Sequence, residues 1–113
     1  MIIYIWKAIT ETRLDSKTVG YILKHADAKA LIVDRQFHGV VKKALESFGK
    51  KILIIDIVDK QADLKDTEKI GEFEYESFLE KGDSSYVWKR PKDEWQSISL
   101  NYTSGTTGNP KGV

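Results

Sequence analysis

Two short apolar runs rich in β-branched residues, KALIV at 29–33 and KKILIID at 50–56, flank a segment whose apolar residues recur at helical spacing. In that segment, RQFHGVVKKALESFG, the residues Phe37, Val40, Val41, Ala44, Leu45 and Phe48 share one helical face. Asp34 stands where a cap is needed and Gly49 where a helix stops. Strand, amphipathic helix and strand in immediate succession allow few folds, and an α/β layer is the simplest. The preceding stretch, DSKTVGYILKHADA, adds a helix with Val19, Ile22, Leu23 and Ala26 on its stripe and Asp15 or Ser16 as cap. Downstream, IVDKQADLKDTEKIGEFE is charged and aperiodic, an exposed excursion, and YESFLEKG reads as one or two helical turns. SISLNY at 97–102 reads as a third strand running into the terminal loop. The predicted fold class is therefore α/β, a mostly parallel sheet with flanking helices and no internal repeat.

A chain of 113 residues suffices for one domain with a modest core. Its 18 Lys and Arg offset 17 Asp and Glu to a net charge of +1, so no general field favours nucleic acid or an anionic membrane, and any anion site must be local. With no cysteine, a disulfide framework, a thiol nucleophile and a cysteine zinc site are excluded, and two histidines are too few for a metal cluster. The opening MIIYIWKAIT lacks the length of a membrane span and the flanks of a signal peptide, and is read as core-forming chain of a cytoplasmic protein without membrane insertion.

The chain closes on YTSGTTGNPKGV, residues 102–113. Thr103, Ser104, Thr106 and Thr107 supply hydroxyls, Gly105 and Gly108 allow close backbone approach, and Lys111 adds a compact positive charge. Charge-assisted hydrogen bonds of this kind contribute about 1.5–3 kcal/mol each, so a few suffice to hold a triphosphate. A loop following a strand of a parallel sheet also lies where such sheets bind ligands. It is not the Walker loop, since Asn109 and Pro110 rather than Lys follow Gly108, and no glycine lies two before Gly105 as the dinucleotide fingerprint requires. Composition alone leaves a flexible Ser/Thr/Gly tail as an equal alternative.

Residue order adds to this. YTSGTTGNPKG closely resembles, unbroken over eleven residues, the phosphate-binding signature of the adenylate-forming superfamily of AMP-dependent synthetases and ligases. DEWQSISLNYTSGTTGNPKGV resembles more narrowly the acyl-CoA synthetases of short- and medium-chain acids, including those of the 3-methylmercaptopropionyl-CoA ligase type. TRLDSKTVGYILKHADAKALIVDRQF is similar to the same enzymes upstream of that signature. The resemblance implies activation of a carboxylic acid by ATP to an acyl-adenylate, then transfer to coenzyme A, with Mg2+ assisting. It implies that Thr103, Ser104, Gly105, Thr106, Thr107 and Gly108 wrap the β- and γ-phosphates and that Lys111 helps neutralise departing pyrophosphate, Thr106 and Lys111 mattering most.

Residues 1–113 are accordingly read as part of the large N-terminal domain of such an enzyme, ending in the phosphate-binding loop 102–113. The adenine, acid and CoA pockets, a catalytic residue and metal ligands find no counterpart in this stretch. An alternative is a non-catalytic remnant that binds ATP weakly, and another is a small interaction domain with an incidental loop. His25 and His38 are read as surface or packing residues on helices, Trp6, Trp88 and Trp95 as packing residues, and Tyr102 as packing beside the loop with its role open.

Overall fold

The computed structural model describes residues 14–62, 64–97, 99–103 and 108–113. Helix α1 spans Ser16–His25, strand β1 Ala30–Asp34, a 3-10 turn Arg35–Phe37 and helix α2 His38–Phe48. Strand β2 (Leu53–Ile57) follows, then the short strand β3 (Phe73–Glu74), helix α3 (Tyr75–Leu79), and the two-residue strands β4 (Tyr102–Thr103) and β5 (Lys111–Gly112). The opening stretch, with Trp6, lies outside the described residues.

Local chemistry explains most of these boundaries. The Asp15 carboxylate accepts a 2.7 Å hydrogen bond from the Thr18 N–H, satisfying one of the free donors of the first turn of α1. Asp34 caps as expected, but what it caps is the 3-10 turn, through Gln36 N–H, and α2 proper starts three residues later than the apolar stripe suggests. Gly49 ends α2 in the left-handed region at φ 70°, its N–H donating to the Leu45 carbonyl. Gly49→Ala should cost about 1 kcal/mol, measured as a lowered urea midpoint; an unchanged midpoint would show that the left-handed cap contributes nothing.

The sheet order is β1-β2-β3, all parallel, with Ile32 opposite Ile55 and Ile55 opposite Phe73. Along β1, Leu31 and Val33 are buried while Ala30, Ile32 and Asp34 are half-buried. The buried pair joins Val19 and Leu23 of α1, Ala28, and Val41, Ala44 and Phe48 of α2 in one core cluster. Helices α1 and α2 pack on each other, and their close approach uses Gly20, where an added Cβ would press on Ser47 Oγ and lie 3.3 Å from the Ala44 carbonyl.

The third parallel strand is not the one the sequence suggests. Residues 97–101 form no strand among those described, and Tyr102 and Thr103 pair antiparallel with β5 in a separate ribbon. The third place belongs to Phe73 and Glu74, inside the stretch read as an excursion. Two residues are too few to produce a periodic signal, and what fixes them is a buried carboxylate. Asp56, with no exposed surface, accepts from Ile70 N–H at 3.1 Å and Gly71 N–H at 2.9 Å. Glu72 N–H then donates to the Ile54 carbonyl at 2.9 Å, which sets the register of β3 on β2. Trp88 and Trp95 also depart from expectation. They are 76% and 94% exposed, in a segment where every described residue from 79 to 101 is exposed, so neither packs into the core of the described residues.

The acidic caps give the fold a pH dependence of definite sign. Asp15 is held below the ordinary aspartate value, first by the Thr18 backbone N–H, and Glu74 below the ordinary glutamate value, first by the Ser77 backbone N–H. A depressed folded value stabilises above the unfolded value and loses that contribution as pH falls through the folded one. Side-chain NMR titration should place the Asp15 midpoint below that of an unstructured aspartate; a midpoint at or above it would remove the cap from the account.

Candidate functional site

The candidate site is built on the β4–β5 ribbon. Tyr102 stands opposite Gly112 and Thr103 opposite Lys111, and Asn101 and Val113 close the ribbon by exchanging two backbone hydrogen bonds of 2.9 and 2.7 Å. Gly108, in the connection, has φ 155°, a backbone conformation that L side chains rarely adopt. Of the residues assigned to phosphate from sequence, Thr103, Gly108 and Lys111 are described, and the ribbon brings Thr103 and Lys111 into direct cross-strand register. Ser104, Gly105, Thr106 and Thr107 lie outside the described residues.

Directly opposed residues of an antiparallel pair share one face, and neighbours in sequence take opposite faces. The ribbon is thus two-sided. One side carries Thr103 and Lys111, both exposed, and the Lys111 ammonium has no carboxylate partner among the described residues. The other side meets the end of α1: Tyr102 Oη lies 2.7 Å from Nδ1 of His25, and a Cβ on Gly112 would lie 3.0 Å from Leu100 Cδ1 and 3.5 Å from His25 Cε1. His25 also stacks on Tyr21, with ring centroids 5.6 Å apart. Partial burial, and then the neighbouring Tyr21, push the Tyr102 phenol above its ordinary value.

A hydroxyl and an ammonium projecting together beside a glycine-containing connection make a surface suited to an anion. Among the described residues no three His, Cys, Asp or Glu side chains gather as a metal set, and no helix is long and apolar enough to cross a membrane. The reading of His25 as surface or packing missed its contact with Tyr102, because nothing in a linear sequence marks two residues 77 positions apart as partners. His38 is the first residue of α2, half-buried, with its Nδ1 buried and without a hydrogen-bond partner among the described residues.

The sequence is similar to known proteins over most of its length. The profile of the AMP-binding enzyme family matches residues 8–113. An acetate–CoA ligase of Humulus lupulus is 46% identical over 111 residues, covering 89% of this chain and 20% of its own. A peroxisomal acetate/butyrate–CoA ligase of Arabidopsis thaliana is 40% identical over 111 residues, with the same coverage. A 2-methylpropanoate–CoA ligase of Humulus lupulus is 35% identical over 106 residues, covering 89% of this chain and 19% of its own. The chain thus spans about a fifth of the length of the curated relatives it matches.

Proposed function

Because this chain belongs to the AMP-binding enzyme family, we propose that it carries the phosphate-binding loop of an ATP-dependent, AMP-forming acid–CoA ligase, within the N-terminal domain of that enzyme. The acid carboxylate attacks the α-phosphorus of ATP and pyrophosphate leaves. The thiol of coenzyme A then attacks the acyl carbon of the acyl-adenylate, releasing AMP. Thr103, Ser104, Gly105, Thr106, Thr107 and Gly108 wrap the β- and γ-phosphates, and Lys111 meets the negative charge that grows on the leaving pyrophosphate. The observation that carries this reading is the unbroken signature at 102–112, flanked by strands whose register sets Thr103 beside Lys111. Mg2+ bound with ATP would offset phosphate charge as pyrophosphate leaves, and among the described residues no three His, Cys, Asp or Glu side chains gather to hold it.

The substrate class in this reading is a short-chain carboxylic acid, supported by the acetate, butyrate and 2-methylpropanoate in the relatives' names. The protein as the cell makes it should release pyrophosphate from ATP only when such an acid is present, and should form the acyl-CoA when coenzyme A is added. Pyrophosphate release indifferent to every short-chain acid would overturn the substrate class, and none at all would overturn the ligase. The reading keeps the cytoplasm as compartment; immunolocalisation to peroxisomes, the site named for the Arabidopsis relative, would replace it.

A further inference from the structure

The two faces of the β4–β5 ribbon have different surroundings, and the asymmetry suggests a role for His25. This residue closes α1, a helix capped by Asp15 and anchored in the core by Val19, Ile22 and Leu23. Its imidazole is further oriented by stacking on Tyr21. From that fixed platform Nδ1 reaches Tyr102 Oη at 2.7 Å, and the Tyr102 ring meets the imidazole edge-on with centroids 5.7 Å apart. Tyr102 is next in sequence to Thr103, and Gly112 next to Lys111, so the residues touching α1 alternate with those pointing away from it.

We propose that His25 is a positioning residue for the phosphate site: by holding the Tyr102 phenol it fixes the ribbon against α1 and so sets where Thr103 and Lys111 stand. A side chain placed by a rigid element positions a reacting group more sharply than one placed by loop packing alone. The contact accommodates either hydrogen arrangement, with the phenol donating to a bare Nδ1 or a protonated Nδ1 donating to Oη. A role for His25 only as a cation near the C-terminus of α1 would need no contact with Tyr102.

The proposal rests on the ligase reading for its effect on catalysis but not for its effect on the ribbon, and two readouts separate these. In the protein as the cell makes it, His25→Ala and Tyr102→Phe should each raise the KM for ATP in pyrophosphate release by roughly threefold to tenfold, the range of one lost hydrogen bond, while the KM for the acid stays unchanged. The double variant should be no worse than the weaker single one, and His25→Asn, which keeps a polar group toward the phenol, should recover part of the loss. The second readout is amide exchange at Asn101 and Val113, whose mutual hydrogen bonds close the ribbon. It should speed up in His25→Ala at an unchanged melting temperature, since His25 is exposed and its removal leaves the core intact. Multiplying effects in the double variant, or unaltered exchange at both amides, would overturn the positioning role. If the wild-type protein released no pyrophosphate, the ligase reading would fall, and the exchange measurement alone would decide whether His25 holds the ribbon.

Discussion

Asp56→Ala is expected to lower stability by about 3–5 kcal/mol, the cost of removing one partner from a buried charge network. Against a typical domain total of about 5–15 kcal/mol, that is a large share of what keeps such a chain folded. The reasons are specific. The carboxylate is fully buried and accepts from Ile70 and Gly71 N–H, with the Arg35 guanidinium 3.4 Å away. Truncation leaves two backbone donors without their acceptor and takes the carboxylate from the guanidinium, while the Nε of Arg35 is already buried without a partner among the described residues. Asp56→Asn keeps one acceptor oxygen and should lose less. Gly71→Ala attacks the same contact from the other side, because a Cβ there would sit 2.8 Å from Asp56 Oδ1 and from Asp56 N, and 2.9 Å from the Ile54 carbonyl. Urea denaturation of the three variants is the check. A loss below about 1 kcal/mol for Asp56→Ala, the scale of an exposed ion pair, would show that β3 is not held by this carboxylate.

Lys111→Ala carries the largest expected effect on the proposed chemistry. Removing one preorganised donor from a site where transition-state charge develops commonly costs about 100- to 1,000-fold in rate, and the loss of pyrophosphate release should fall in that range. Lys111 is exposed and its ammonium has no carboxylate partner among the described residues, so the melting temperature should not move with the rate. Lys111→Arg should recover part of the activity, since the charge is retained while the shape of the donor changes. Thr106→Ala should reduce the rate as well. If the Thr106 and Lys111 variants both released pyrophosphate at the wild-type rate, the assignment of this loop to the phosphates would be wrong.

Legibility in the sequence followed the length over which a physical signal repeats. Helices α1 and α2 and strands β1 and β2 each carry five or more residues of consistent pattern, and the caps at Asp15 for α1, Asp34 for the 3-10 turn and Gly49 for α2 are local chemistry visible one residue at a time. Strand β3 has two residues and owes its place to Asp56, which in sequence looks like the polar end of an apolar run. SISLNY has the composition of a buried strand, yet Ser99, Leu100 and Asn101 are all exposed, and the pairing that does form is local, between Tyr102–Thr103 and Lys111–Gly112. For the site, the proposed phosphate assignment rests on the order of residues in YTSGTTGNPKG, to which the structure adds the cross-strand register of Thr103 and Lys111. What the order did not contain is the support beneath it, because the His25–Tyr102 contact is a matter of tertiary proximity.

The span of that contact bears on when the site can exist. Pairings close in sequence close cheaply and early, whereas distant ones wait for loop-closure entropy to be overcome. Helix α1 packs on α2, and β1 joins β2, across separations of a few tens of residues, and the Asp56–Gly71 bond spans 15. The His25–Tyr102 contact spans 77. During synthesis the first helix therefore emerges well before residues 102–113, and the surface bearing Thr103 and Lys111 is expected to take shape after the core formed by α1 and α2. On this order the core of α1, β1, α2 and β2 is expected to close before the proposed nucleotide surface at Thr103 and Lys111 does.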